Sequence, residues 1–204
     1  KKNNEYKKPT FYILQVRPLT IKSEDVSIPQ DIPKEELFLS SCHSMGNGII
    51  DDLKDIIFVK PGSFDKTQTE KMREEIQYLN HHMREEKTKY ILIGPGRWGS
   101  QDRFLGIPVK FVDISFAKVI VEAGLDDFDI DPSQGTHFFH NIVAMELGYL
   151  SVPAKGADCH LDWDWLSRQE IIEETKYFRH VRLKSPVSVN MDGKHGDAVI
   201  IKHE

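Results

Sequence analysis

The most constraining feature of this sequence is an apolar run, Tyr90-Ile91-Leu92-Ile93, which ends at Gly94-Pro95-Gly96. Four apolar residues upstream recur at spacings of four, three and four, which predicts an amphipathic helix: Met72, Ile76, Leu79 and Met83. Thr67, with Glu70 three positions later, predicts a capping box at the start of that helix. The chain is therefore expected to run from a helix into a buried strand.

Other segments are predicted to alternate between strands and helices. Strands are expected at residues 11–16, 37–39, 55–59, 109–112, 117–123 and 149–152, with further strands in 181–201 around the turn Asp192-Gly193-Lys194. Helices are expected to begin at Asp131-Pro132 and to cover residues 163–174. This alternation predicts an α/β fold, with a mixed sheet, flanking helices and an antiparallel C-terminal addition.

The prolines and the polar composition of residues 21–36 predict a linker. We accordingly expect three parts: residues 1–20 as the terminal strand of an upstream domain, the linker, and residues 37–204 as a C-terminal α/β module. The chain begins at Lys1 without an initiating Met and enters a strand within about ten residues, which indicates a piece cut from a longer protein.

Composition excludes several classes of partner. The formal net charge is −5, which favours neither nucleic acid nor an anionic membrane surface as a partner. The apolar runs are far shorter than the roughly 18 residues of a membrane span. The two cysteines, Cys42 and Cys159, lie far apart without a CxxC spacing, which predicts neither a zinc site nor a disulfide framework and favours a reducing cytoplasm.

A glycine-rich string after the buried strand is the first candidate site. Its candidate anion-binding residues are Gly94, Gly96, Arg97, Gly99 and Ser100. Glycines let backbone N–H groups approach an anion, and a guanidinium can donate two hydrogen bonds to phosphate or carboxylate. The alternative is a tight loop in which Arg97 pairs with Asp102 and Trp98 packs on the core.

A polar string at the predicted start of the Asp131 helix is the second candidate. Its candidate anion-binding residues are Ser133, Gln134, Gly135 and Thr136. Free N–H groups and the helix dipole favour an anion there, although plain N-capping accounts for the same residues. His137 is a weak candidate for an acid or base. His137 and His140 could also bind metal, but no third ligand is spaced to join them.

At Leu14-Gln15-Val16-Arg17-Pro18 the chain resembles the end of the ATP-grasp nucleotide-binding domain of phosphoenolpyruvate synthase and pyruvate phosphate dikinase. The resemblance implies that Gln15 and Arg17 lie at the ATP phosphates, with Gln15 as a Mg²⁺ ligand, in a complete upstream domain. The family's acidic metal partner lies on a preceding strand that this chain does not contain. The phosphohistidine domain and the pyruvate-binding barrel of those enzymes are not found here either.

Residues 37–204 resemble the C-terminal region of large bacterial proteins named phosphoenolpyruvate synthase-like. The strings that carry the resemblance are Gly94-Pro95-Gly96-Arg97-Trp98-Gly99-Ser100 and Asp131-Pro132-Ser133-Gln134-Gly135-Thr136-His137-Phe138-Phe139. It implies an ATP-dependent phosphotransferase (kinase) as the parent protein, with Mg-ATP as its cofactor and the upstream ATP-grasp domain as a partner of this module.

Two functions are expected for the module. In the first, it binds a small anionic or phosphorylated ligand between the two polar strings, with no turnover by this fragment alone and no tightly held cofactor. In the second, it is a non-catalytic docking or regulatory module that packs on the ATP-grasp domain. A weaker third possibility is acyl or phosphoryl transfer that uses His137.

Overall fold

A ten-stranded mixed sheet dominates the computed structural model, which describes residues 26–29, 31–100, 102, 104–125, 145–154 and 159–203. The described strands are β1 (Leu37–Ser41), β2 (His43–Met45), β3 (Gly48–Val59), β4 (Tyr90–Pro95), β5 (Arg97–Trp98), β6 (Gly106–Ile107), β7 (Ala117–Ala123), β8 (Gly148–Val152), β9 (His160–Leu161), β10 (Glu170–Glu174), β11 (Phe178–Asp192) and β12 (Asp197–Ile201). The described α-helices are α1 (Thr69–Glu85) and α2 (Trp163–Ser167). The predicted α/β fold, with its mixed sheet, flanking helices and antiparallel C-terminal addition, is confirmed.

Four parallel strands form the centre of the sheet, in the order β3, β4, β7 and β8. All six residues of β4 are buried, as expected for the apolar run that begins at Tyr90. Tyr90 and Leu92 contribute to one core cluster, whereas Ile91 and Ile93 contribute to another on the opposite face. The centre of the sheet is therefore covered on both faces, which is usual for parallel strands.

Helix α1 covers one of these faces. Its buried apolar residues are the four that the sequence spacing singled out: Met72, Ile76, Leu79 and Met83. The predicted capping box is wrong, because the helix begins at Thr69 and no side chain caps it. Asp65 instead accepts a hydrogen bond from Thr67 N at 2.8 Å, in a one-turn 3-10 helix that precedes α1.

The opposite face is covered because the sheet curls and joins its own ends. Strand β11 pairs with β3, β12 pairs with β11, and β1 pairs with β12, all antiparallel. Cys42 alone separates β1 from β2, and β2 pairs with β8 at the far end of the parallel strands. Ser41 Oγ donates to Ser151 O at 2.7 Å across this junction. The antiparallel strands thus enclose the second core cluster, which includes Phe38 and Val189.

Two predicted elements differ in the structure. Residues 109–112 do not form a strand; a 3-10 helix covers Phe111–Ile114, and Asp113 accepts from Lys110 N at its start. The helix predicted over residues 163–174 ends at Ser167, and residues 170–174 form β10. The β-branched pair at 171–172 favours extended backbone, and β11 offers it an antiparallel partner at Val181.

The predicted strand at residues 11–16 and the predicted helix from Asp131 lie outside the described residues. The turn at Asp192-Gly193-Lys194 falls between β11 and β12, as predicted, and Asp192 is paired with Asp197 there. In the part of the chain that the structure describes, no helix combines the length and the apolar character that crossing a membrane requires.

Asn80 on α1 provides a test of how the helix is fixed to the sheet. Its Oδ1 accepts from Tyr90 OH at 3.1 Å and from Phe116 N at 3.0 Å, and its Nδ2 donates to Ser115 Oγ at 3.3 Å. Asn80→Ala leaves buried polar groups without these partners, so we expect a loss of about 2–4 kcal/mol in the free energy of unfolding. Urea unfolding measures it, with the exposed Lys71→Ala as the control. A change below about 0.5 kcal/mol would contradict this account.

Candidate functional site

The glycine-rich string lies at the carboxyl edge of the parallel strands. Strand β4 ends at Pro95 and β7 ends at Ala123, and Gly94 is paired with Glu122 across the two strands. Arg97 follows directly, in β5. In α/β proteins, ligands commonly bind at the carboxyl ends of parallel strands, in open sheets and in closed barrels alike. The structure therefore places this candidate string where a ligand site is expected.

The glycines of this string allow close packing and a sharp path of the backbone. A Cβ atom on Gly94 would lie 2.3 Å from the Trp98 ring, so only glycine fits beneath that indole. Gly96 and Gly99 have positive φ angles of 71° and 78°, which favour glycine. Trp98 is buried and donates from Nε1 to Val121 O at 3.1 Å.

Backbone N–H groups of the string are already used within the protein. Arg97 N donates to Leu105 O and Gly99 N donates to Ile107 O, each at 2.9 Å. The described loop is thus a tight turn with few free N–H groups, and the side chain of Arg97 within it is partly exposed.

A buried carboxyl group, Glu122, is the chemically most distinctive group at this edge. It is fully buried, Tyr149 OH donates to its Oε1, and Ser151 Oγ lies 3.4 Å from its Oε2. Burial raises the pKa of Glu122 to about 7, while the hydrogen bonds and the charge of Arg97 oppose part of that rise. Burial, together with the neighbouring Glu122, also raises the pKa of Tyr149.

This arrangement can donate or accept a proton near neutral pH. A carboxyl group with a pKa close to the working pH, next to a tyrosine and an arginine, is a combination found at functional sites. Glu122 was missed in the sequence analysis. The sequence does carry a signal for this site, because Glu122 interrupts the apolar segment Val119-Ile120-Val121-Glu122-Ala123. An acidic residue within a strand that is buried on both faces is unusual.

The other predicted site residues lie outside the described part of the chain. These are Gln15 and Arg17, the string Ser133, Gln134, Gly135 and Thr136, and the candidate acid or base His137. Ser100 is described, and its Oγ donates to Asp102 O at 3.0 Å. Of the predicted site residues, the structure therefore brings together those of the first string, at the edge that also holds Glu122.

A cavity of about 500 Å³ lies elsewhere, between α2 and the end of the sheet formed by β11 and β12. Its lining includes Trp165 and five basic residues, Arg168, Arg182, Lys184, Lys202 and His203. Two of these are ion-paired, Arg182 with Asp55 at 2.8 Å and Lys202 with Asp162 at 2.7 Å. This basic cavity is a second place where an anion can be bound, and sequence reasoning missed it because its residues come from separate segments.

The titration of Glu122 gives a testable pH dependence. The folded pKa of about 7 exceeds the ordinary value of 4.5, so the folded state holds the proton more tightly than the unfolded state. Its contribution to the free energy of unfolding is fully present below pH 4.5 and is lost as the pH rises through 7. The total change is about 3 kcal/mol. Urea unfolding measures the dependence of this free energy on pH, and Glu122→Gln should remove the decrease across this range. Glu74→Gln, at an exposed position, should keep the pH dependence of the wild type. The same dependence in Glu122→Gln would contradict the assignment of this titration to Glu122.

No group of three or more His, Cys, Asp and Glu side chains within the described ranges is arranged to hold a metal ion. The Mg²⁺ ligand implied by resemblance, Gln15, is outside those ranges. Comparisons of the chain with protein-family models, with curated proteins and with solved structures give no match.

Proposed function

We propose that residues 37–204 are the C-terminal, ligand-binding module of an ATP-dependent phosphotransferase-like protein of the phosphoenolpyruvate synthase type. The module binds a small anionic or phosphorylated ligand at the carboxyl edge of the parallel strands, next to Arg97. The observation that carries the proposal is the position of the partly exposed Arg97, just beyond the carboxyl end of β4, at the edge that also holds the buried Glu122.

Arg97 supplies the charge that holds the ligand. Its backbone N–H is bonded to Leu105 O, which fixes the start of the side chain against β6. A guanidinium donates two parallel hydrogen bonds to phosphate or carboxylate, and these charge-assisted bonds are stronger than neutral ones. Because the backbone N–H groups of Arg97 and Gly99 are bonded within the protein, the Arg97 side chain rather than these groups makes the main contact with the ligand.

Glu122 adjusts the charge of the site. With a pKa of about 7, its carboxyl group is neutral in mildly acidic solution and negatively charged in mildly basic solution. The neutral form does not attract the guanidinium of Arg97, whereas the ionised form attracts it and so competes with an anionic ligand. Anion affinity should therefore decrease as the pH rises through 7.

A specific observation favours the docking alternative. Phe104 and Leu105 are exposed, at 51% and 44%, in the segment that leads into β6. Leu105 accepts the hydrogen bond from Arg97 N, so these apolar side chains lie beside the proposed ligand site. In this alternative, the same face packs on the upstream ATP-grasp domain without binding a ligand.

The upstream part of the proposal rests on the resemblance alone. Gln15 and Arg17 would act at the phosphates of Mg-ATP, with Gln15 as a magnesium ligand, in the complete upstream domain. The parent protein is a cytoplasmic kinase in this proposal.

Ligand titration tests the proposal. We expect phosphate, pyrophosphate, phosphoenolpyruvate, pyruvate or Mg-ATP to raise the melting temperature of the chain in a dose-dependent way, because binding to the native state stabilises it. Arg97→Ala should weaken the binding by about tenfold to a hundredfold, the loss expected for a charged hydrogen bond. Isothermal titration calorimetry at pH 6 and pH 8 measures the affinities.

Two further variants locate the site. Arg84→Ala removes an exposed arginine on α1 and should leave the affinity unchanged. Lys184→Ala removes an exposed charge from the basic cavity. If this variant loses affinity for the anion while Arg97→Ala does not, the anion site is in that cavity. No stabilisation by any of the five compounds, in a sample that unfolds cooperatively, would overturn ligand binding and favour the docking module.

A further inference from the structure

The fold brings the two cysteines of the chain together although they lie far apart in the sequence. Cys42 is the residue between β1 and β2, and Cys159 directly precedes β9. Strand β1 pairs with β9, with Ser40 opposite His160, and this register brings Cys159 next to the end of β1, where Cys42 follows Ser41. Their Sγ atoms are 3.0 Å apart and both residues are half-buried.

This distance is within reach of a covalent bond. A disulfide has an S–S length of about 2.05 Å, so the two sulfurs need to approach by roughly one ångström. His43 Nδ1 lies 3.5 Å from Cys42 Sγ. In the tautomer with an unprotonated Nδ1, the imidazole can accept the proton of the Cys42 thiol, and the thiolate is the form that reacts.

We propose that Cys42 and Cys159 form a reversible disulfide at the junction where the curled sheet joins its ends. The oxidant is a hydroperoxide and the reductant a dithiol. The spacing of the two cysteines in the sequence predicts no disulfide, so the proposal differs from that prediction. It does not depend on the proposed ligand site.

The chemistry proceeds in two steps. The Cys42 thiolate attacks one peroxide oxygen, the O–O bond breaks, and the departing hydroxide takes a proton to give water and a Cys42 sulfenic acid. The Cys159 thiolate then attacks that sulfur, the S–O bond breaks, and the hydroxide leaves with a proton as a second water. The sum converts two thiols and one hydrogen peroxide into one disulfide and two waters. A dithiol reverses it by exchange and becomes a disulfide itself.

The disulfide would strengthen the closure of the sheet. The junction is held by hydrogen bonds, among them Ser41 Oγ to Ser151 O at 2.7 Å and Ser44 N to Gly196 O at 2.8 Å. A crosslink that encloses so long a stretch of chain restricts the unfolded state strongly. We expect the oxidised form to melt about 5–15 °C above the reduced form.

Mass spectrometry tests the proposal on the whole chain. After treatment of the native protein with one equivalent of hydrogen peroxide, the intact mass should fall by two hydrogen atoms and N-ethylmaleimide should add to neither cysteine. Peptide mapping should give one crosslinked pair that contains Cys42 and Cys159. Dithiothreitol should restore two reactive thiols, which is simple to count because the chain has two cysteines.

Four controls make the result specific. Cys42→Ser and Cys159→Ser should each retain one alkylatable thiol and give no intramolecular crosslink. His43→Asn should slow the oxidation several-fold with the same product. The urea-unfolded chain should form the crosslink more slowly than the native chain. Equal rates in the native and unfolded chains, two alkylatable thiols after oxidation, or sulfinic acid without a crosslink would each overturn the proposal.

Discussion

The burial of both faces of β4 and β7 is the constraint on which the rest of this structure depends. Parallel neighbours satisfy the backbone hydrogen bonds of these strands, but their side chains alternate between two faces, and each face needs an apolar cover. Helix α1 provides one cover through residues such as Ile76. The second cover comes from the sheet itself, because β11, β12 and β1 curl around until β2 reaches β8.

The candidate site follows from the same constraint. A carboxyl group on a strand that is buried on both faces loses its water, so the burial that stabilises the sheet also raises the pKa of Glu122. The sheet closure lies next to this group. The side chain of Ser151 contacts Glu122, and the carbonyl of Ser151 accepts a hydrogen bond from Ser41, which precedes Cys42. The proposed redox pair and the titrating carboxyl group therefore meet at neighbouring strands rather than at distant places.

Local patterns were enough to predict the centre of the fold. The four-three-four spacing in α1 and the apolar run in β4 depend on neighbours in the sequence, and both appear where they were predicted. The features that local patterns do not predict depend on partners far along the chain. Residues 170–174 are a strand because β11 lies beside them, and Cys42 meets Cys159 because β1 pairs with β9. Glu122 differs: the sequence predicts its strand, but the surroundings of its carboxyl group depend on Tyr149 and Ser151 of the neighbouring strand β8.

The pairing of β1 with β12 links opposite ends of the described chain, with Leu37 opposite Ile201. During synthesis on the ribosome, β1 emerges first and its partner last of all the strands in this sheet. Until then one edge of β1 lacks its neighbour, and an unpaired strand edge readily adds to strands of other chains. Such long-range pairing also slows folding, because distant segments must meet before the sheet can close. That edge of β1 is accordingly open to pairing with other chains until β12 has been synthesised.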